Sequence, residues 1–89
     1  MPYFIRVEDA AQHLGTSVEE LCEFQQLGWI DTVEKDGVSY LRGHQEYRAK
    51  FVLALRRRRK LRPEQIAKVL QVQKPPFNMN EVDRILKEG

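Results

Sequence analysis

Five consecutive basic side chains, Arg56 to Lys60, are the residues of this sequence whose type and spacing point most directly to a binding chemistry. Guanidinium groups match the geometry of phosphate oxygens and can donate two hydrogen bonds to one phosphate. The run lies within residues 42–62, which have nine basic side chains against one acidic, whereas residues 1–41 have two basic against eight acidic. Because the whole chain carries only +2, this segregation of charge predicts a polyanionic partner for one part of it.

Other residue types that carry out chemistry are few. His13 and His44 are the only histidines, and neither has a helical ligand spacing to the single cysteine, Cys22, so no zinc site is predicted. Ser17 has no histidine or lysine at the spacing of a nucleophile and its base. A glycine-rich phosphate loop is also missing from the sequence. We therefore expect a protein that is not an enzyme and that uses no cofactor, no metal and no small-molecule substrate.

Length and hydropathy set the scale of the elements that must position these residues. A chain of 89 residues supports one small domain with a modest core. Its longest apolar run, Phe51 to Leu55, is far shorter than the roughly 20 residues of a membrane span. The N-terminal residues lack the pattern of a signal peptide, and a lone cysteine agrees with a reducing compartment. The expected location is the cytoplasm, without a membrane partner.

Two short helices are predicted at the start of the chain. Apolar residues recur with helical spacing over residues 7–14, and Gly15 is suited to end that helix in the left-handed conformation. Ser17 stands three residues before Glu20 in the pattern of a capping box, so the second helix should begin at Val18. Gly28 then marks its C-terminal end. A connection of only three residues favours two helices packed at a steep angle, as in a helix-turn-helix.

A two-stranded hairpin and a longer basic helix are predicted next. Residues 29–34 and 38–41 flank Lys35-Asp36-Gly37, and Asp-Gly between short extended segments is typical of a β-hairpin. From Gly43 or His44 a third helix is expected to run to Lys60. Helical phasing would place Arg58 on the core side of that helix, paired with an acidic residue of the N-terminal half.

The remaining sequence predicts two further helices. Pro63 suits the first position of a helix over about residues 63–72, and Lys74-Pro75-Pro76 then interrupts the chain. Asn78 can cap a short last helix whose apolar stripe must pack on this domain, on a second copy or on a partner protein. The expected organisation is a winged helix-turn-helix domain over residues 1–72 and a linker with a C-terminal amphipathic helix over residues 73–89. The expected fold class is mainly α, with four to five short helices and a two-stranded β-hairpin wing.

The order of these motifs resembles a known family. The segment from Val7 to Ser17, Leu21, the Leu27-Gly28-Trp29-Ile30 turn, the wing glycine with Tyr40, and Pro63-Glu64-Gln65-Ile66 are similar to the N-terminal winged-helix domain of MerR-type proteins. This resemblance covers roughly residues 5–72. It implies a bacterial transcription regulator or accessory factor that binds double-stranded DNA with its second helix, its wing and the basic helix that follows. A long dimerising helix, which follows this domain in typical members, is not expected within these 89 residues.

Carried onto this sequence, the resemblance gives a set of candidate DNA-binding residues. In the second helix and its cap, the polar side chains available to bases or phosphates are Ser17, Gln25 and Gln26. The candidates for phosphate contact in the wing and third helix are Lys35, Tyr40, Arg42, Arg48, Arg56, Arg57 and Arg59. Contacts of this second kind position a protein on DNA without reading its sequence.

A second branch of the superfamily offers an alternative function. The chain is also similar to CbpM-type chaperone modulators, in Glu19-Glu20-Leu21 with Leu27-Gly28, Leu55-Arg56, Leu61, and Ile66-Ala67 with Leu70. This resemblance implies binding to the basic J-domain of a DnaJ-like co-chaperone. Glu19, Glu20 and Glu23 would then form a protein-binding face of complementary charge.

Overall fold

The fold is mainly helical, with five α-helices and a small three-stranded antiparallel sheet among the residues described. A computed structural model describes residues 4–73 and 77–87 of the chain. The elements follow in the order β1 (Phe4–Arg6), α1 (Val7–Leu14), α2 (Val18–Gln26), β2 (Val33–Lys35), β3 (Val38–Arg42), α3 (Gly43–Arg57), α4 (Pro63–Val72), a 3₁₀ turn (Met79–Glu81) and α5 (Val82–Lys87).

The chain divides into two compact units, an N-terminal unit (Met1–Lys50) and a C-terminal unit (Phe51–Gly89), with the division inside α3. The predicted linker residues Lys74, Pro75 and Pro76 lie outside the described residues. No helix in the described ranges has both the length and the apolar character needed to cross a membrane.

Local capping signals set the ends of α1 and α2 as predicted. Gly15 has a φ of 69° at the C-terminus of α1, and the backbone N–H of Thr16 donates to the carbonyl of Ala11 over 2.9 Å. The Ser17 hydroxyl accepts the backbone N–H of Glu20 over 3.1 Å, so α2 begins at Val18. The Glu20 carboxylate accepts a hydrogen bond from the Thr16 hydroxyl. The sharp connection between the two helices is therefore held by side-chain and backbone bonds within a few residues.

The end of α2 leads the chain into the core of the N-terminal unit. Gly28 has a φ of 78°, which a residue without a Cβ adopts at little cost. The backbone N–H of Trp29 then donates to the carbonyl of Phe24 over 2.9 Å, and the two rings lie 5.6 Å apart. Phe24, Trp29 and Ile30 are buried together with Leu21 and Leu41.

The sheet has three strands, in the order β1-β3-β2, so the predicted two-stranded wing is corrected. The hairpin itself is present: β2 and β3 are joined by Asp36 and Gly37, with φ values of 52° and 78°. The additional strand, β1, pairs antiparallel with the other edge of β3, where Ile5 lies opposite Leu41. Both side chains are buried. Pairing satisfies the backbone groups of β3 on both edges, which a two-stranded ribbon leaves open on one side.

The third helix ends at Arg57, three residues earlier than predicted. Lys60 has a φ of 54°, and the backbone N–H of Leu61 turns back to the carbonyl of Leu55 over 3.2 Å. Leu61 is half-buried, whereas Arg58 is exposed and lies beyond the helix. The prediction of a core-side Arg58 was therefore wrong, because its helical phase was extrapolated past the end of α3.

In the C-terminal unit, α4 begins at Pro63 as predicted, and the backbone N–H of Arg62 donates to the Gln65 side chain over 2.9 Å. The last helix packs on α4 and buries Val82 and Ile85. The apolar stripe of this helix was expected to pack on the same domain, on a second copy or on a partner protein. In the structure it packs on α4 of the same chain.

A pair of hydrogen bonds and a ring stack hold the residues that precede α5. The buried Gln73 side chain donates to the carbonyl of Asn78 over 2.8 Å and accepts its backbone N–H over 2.7 Å. Phe77 stacks on Phe51 with a centroid distance of 4.6 Å. The start of the last helical segment is thereby fixed by hydrogen bonds and by ring packing.

Candidate functional site

The candidate residues of the N-terminal unit fall into two groups, those with structural partners and those exposed to solvent. Ser17 caps α2 with its hydroxyl oxygen. Arg48 is half-buried, and its Nε donates to the backbone carbonyl of Trp29. This bond ties α3 to the segment that follows α2. Ser17 and Arg48 therefore each make a hydrogen bond that supports the fold.

The hairpin carries exposed basic side chains at its ends. Lys35, the last residue of β2, holds its ammonium 4.6 Å from the centroid of the Phe4 ring, in the range of a cation–π contact. Arg42, the last residue of β3, is exposed, and Tyr40 is half-buried on the same strand. An exposed cation–π contact is weak, about 0.5–1 kcal/mol. Both Lys35 and Arg42 can therefore reach a phosphate.

A shallow cleft of about 210 Å³ lies at the junction of the hairpin with α3. The Asp31 backbone N–H donates to the Gln45 side chain here over 2.8 Å. The cleft combines one carboxylate with cationic and hydroxyl groups, which suits a polar contact more than an apolar ligand. Its lining residues are Asp31, Thr32, Val33, Arg42, His44 and Gln45.

The solvent side of α2 is acidic and contains no basic side chain. Glu19 and Glu23 are exposed there, and Gln25 and Gln26 are exposed in the last turn. Leu27, just beyond the end of the helix, is 47% exposed. Gln25 and Gln26, the helix residues predicted to approach DNA bases, thus lie on the same surface as carboxylates, and DNA phosphates repel carboxylates.

The strongest concentration of exposed positive charge lies between α3 and α4, in the C-terminal unit. We refer to residues 57–62 as the basic turn. Arg57, Arg58, Arg59, Lys60 and Arg62 are all exposed or at the edge of exposure in this turn, and Leu61 is half-buried. Backbone N–H groups of Arg58 and Arg59 donate to the carbonyl of Ala54 over 2.9 and 3.4 Å. Backbone hydrogen bonds therefore fix the conformation of the turn, and its basic side chains are exposed on either side of the half-buried Leu61.

One arginine of this turn is engaged by the last helix. The Nη1 atom of Arg59 lies 3.2 and 3.1 Å from the two carboxylate oxygens of Asp83, and its Nη2 donates to the carbonyl of Met79 over 3.3 Å. Arg56 is half-buried and Arg57 is exposed at the end of α3, and both side chains also take part in interactions of their own.

Two exposed arginines of the basic turn, Arg58 and Arg62, were not among the binding residues predicted from the sequence. Arg58 was assigned to the core side of α3. Arg62 could have been found from its place beside Pro63, because the residue before a helix start is expected at the surface.

Charge also differs between the units. The N-terminal unit has five basic and nine acidic side chains, and the C-terminal unit has ten basic and four acidic. The net positive charge of the C-terminal unit, much of it in the basic turn, would favour a polyanion.

The described residues contain no group of three or more His, Cys, Asp or Glu side chains placed to hold a metal ion. Comparison with known proteins gives no match to this chain among family models, curated proteins or solved structures. Function is therefore inferred from the chain's own geometry and charge.

Proposed function

We propose that this chain is a small DNA-binding protein of the winged helix-turn-helix class, which contacts the backbone of duplex DNA mainly through its basic turn. The observation that carries the proposal is the exposure of Arg58, Lys60 and Arg62 on one structured turn. Phosphate contacts by Lys and Arg supply most of the affinity of non-specific DNA binding.

The order of elements supports the assignment to this class. Helices α1 and α2 are joined by three residues, and a β-hairpin follows α2 before the next helix begins. This succession agrees with the MerR-like resemblance of the sequence. Lys35 and Arg42 at the ends of the hairpin strands are the proposed wing contacts.

Sequence-specific recognition is expected to be weak. Gln25 and Gln26 can hydrogen-bond adenine edges, but Glu19 and Glu23 on the same helix oppose its approach to phosphates. We therefore favour an accessory factor that binds the DNA backbone over a regulator that selects its own operator.

The test is the salt dependence of binding to a short labelled duplex, measured by fluorescence anisotropy. The slope of log K against log salt concentration becomes shallower by about 0.9 for each phosphate that the protein no longer neutralises. Replacing Arg58, Lys60 and Arg62 with Ala should therefore flatten the slope by up to about 2.7. The matched control replaces three exposed basic residues elsewhere, Arg6, Lys50 and Lys87, and removes the same net charge.

Two results would count against the proposal. Absence of binding to duplex DNA at low salt would remove it altogether. Equal slopes for the basic-turn variant and the control would show that net charge alone is responsible. Lys35→Ala with Arg42→Ala, measured in the same way, tests the wing contact separately.

A second candidate function is favoured by the surface of α2. Its solvent side combines Glu19 and Glu23 with the exposed Leu27, a combination suited to a basic partner protein with an apolar contact. The proposed partner is the J-domain of a DnaJ-like co-chaperone, as in the CbpM-type resemblance.

This candidate is tested with a purified J-domain in a titration monitored by calorimetry. Glu19→Lys with Glu23→Lys should abolish binding, because both changes place like charges against the basic domain. Glu8→Lys with Asp9→Lys makes the same charge change on the exposed side of α1 and should have a smaller effect. Unchanged binding by the α2 variant would eliminate this function for the acidic face.

A further inference from the structure

We propose that Asp83 is an autoinhibitory contact of the basic turn, in which the last helix occupies Arg59 with a carboxylate that DNA phosphate displaces. The inference rests on the proposed DNA-binding function and concerns the regulation of that same site. It depends on contacts within the C-terminal unit alone.

The contacts of Arg59 reproduce those that a phosphate would make. Both carboxylate oxygens of Asp83 lie within 3.2 Å of Nη1, and the carbonyl of Met79 lies 3.3 Å from Nη2. Three oxygen acceptors from one short segment therefore face a single guanidinium. Phosphate presents oxygens of the same kind and accepts strong charge-assisted hydrogen bonds from arginine, so the two groups compete for the same donors.

Packing holds Asp83 in position without burying it. Val82 and Ile85 on either side of it are buried, and the paired hydrogen bonds between Gln73 and Asn78 fix the start of this segment. The Asp83 side chain is 65% exposed and that of Arg59 is 35% exposed. An exposed pair of this kind is weak. Phosphate can therefore displace the carboxylate by a side-chain movement, while α5 keeps its apolar contacts.

The neighbouring charges of α5 do not duplicate this role. Glu81 pairs with Arg84 three residues later on the same segment. Asp83 is thus the carboxylate of this segment that faces the basic turn. Removal of its charge should release one cation for DNA and take away one repulsive group from beside it.

The experiment compares the full chain with its Asp83→Asn variant in duplex binding over a series of salt concentrations. The variant should bind about two- to fivefold more tightly at low salt, the range expected when one exposed ion pair no longer competes. Its log–log salt slope should stay close to that of the parent, because Arg59 contacts the same phosphate in both complexes once Asp83 has been displaced. Circular dichroism confirms that the variant retains its helix content.

Two matched variants separate the specific contact from net charge. Glu8→Gln removes one exposed acidic charge from α1 and should leave binding close to that of the parent. In an Arg59→Gln background, Asp83→Asn should increase affinity by less than it does in the parent, because the cation that it releases is missing.

The outcomes distinguish this inference from the function on which it rests. If the parent binds no duplex at low salt, the DNA-binding function and the inference are both overturned. If the parent binds but Asp83→Asn behaves like Glu8→Gln, only the inference is overturned. A gain of the same size in the Arg59→Gln background would also overturn it.

Discussion

At the scale of single residues, similar side chains take different roles according to their partners. Arg48 donates to the Trp29 carbonyl, Arg59 contacts Asp83, and Arg58 is exposed on the basic turn. All three are arginines, so residue type does not distinguish them. What differs is whether an acceptor among the residues that the structure describes lies within reach of the guanidinium.

The dependence of a side chain's role on its partners within the chain also gives a stability prediction for Gln73. Its buried side chain makes two hydrogen bonds to the backbone of Asn78, so Gln73→Ala should lower the free energy of unfolding by about 1–3 kcal/mol. Gln71→Ala removes the same side chain from an exposed position of α4 and should change it by less than about 0.5 kcal/mol. Urea denaturation measures both. A decrease of similar size in the two variants would mean that the Asn78 contact does not stabilise the fold.

At the scale of elements, turns and caps position the charged surfaces. The Asp36-Gly37 turn fixes the register of β2 and β3 and hence the places of Lys35 and Arg42. The left-handed Lys60 and the bond from Leu61 to Leu55 end α3 and create the basic turn. In both places a backbone reversal determines which basic side chains reach solvent.

The hairpin turn can be tested with substitutions at Gly37. A Cβ at this position meets no atom within 4 Å, so the cost of a side chain arises from its φ of 78°. Gly37→Ala should destabilise the protein by about 1–2 kcal/mol. Gly37→Asn should cost less, because asparagine tolerates the left-handed region, and Gly37→Val should cost most. Thermal unfolding that ranks Asn below Ala would contradict the observed turn conformation.

At the scale of the whole molecule, charge is segregated rather than balanced. The N-terminal unit has an excess of four acidic side chains and the C-terminal unit an excess of six basic ones. Net charges of opposite sign on the two units, in a chain with a formal charge of only +2, agree with the proposed partners, a polyanion for the C-terminal unit and a basic protein for the N-terminal unit.

This segregation predicts retention on both classes of ion exchanger at pH 7 and low ionic strength. Glu19→Gln with Glu23→Gln should lower the elution salt concentration from an anion exchanger. Arg58→Gln with Lys60→Gln should lower it from a cation exchanger, because each resin contacts the surface of opposite charge. Failure of either resin to retain the parent chain would contradict the prediction. A protein whose acidic and basic groups are evenly mixed over its surface binds a resin only according to its net charge, which is small here.

Local sequence signals predicted much of the fold. The bounds of α1 and α4, the start of α2 and the Asp-Gly hairpin are confirmed, because capping and turn preferences act over a few residues. Phe4–Arg6 gives no comparable signal. Three residues are too few for a pattern of alternation, and their strand forms only because β3 offers an open edge.

The sequence alone determined that this chain has short capped helices, a hairpin and strongly segregated charge. Tertiary structure decided which of those charges face solvent. Arg48 and Trp29 are 19 residues apart, and Arg59 and Asp83 are 24 apart, so packing brings each pair together and periodicity does not reveal them. The end of α3 at Arg57 likewise goes with the half-buried Leu61, whose backbone N–H donates to the carbonyl of Leu55. Charge content is therefore a property of composition, whereas the availability of each charge for binding depends on distant partners in the fold.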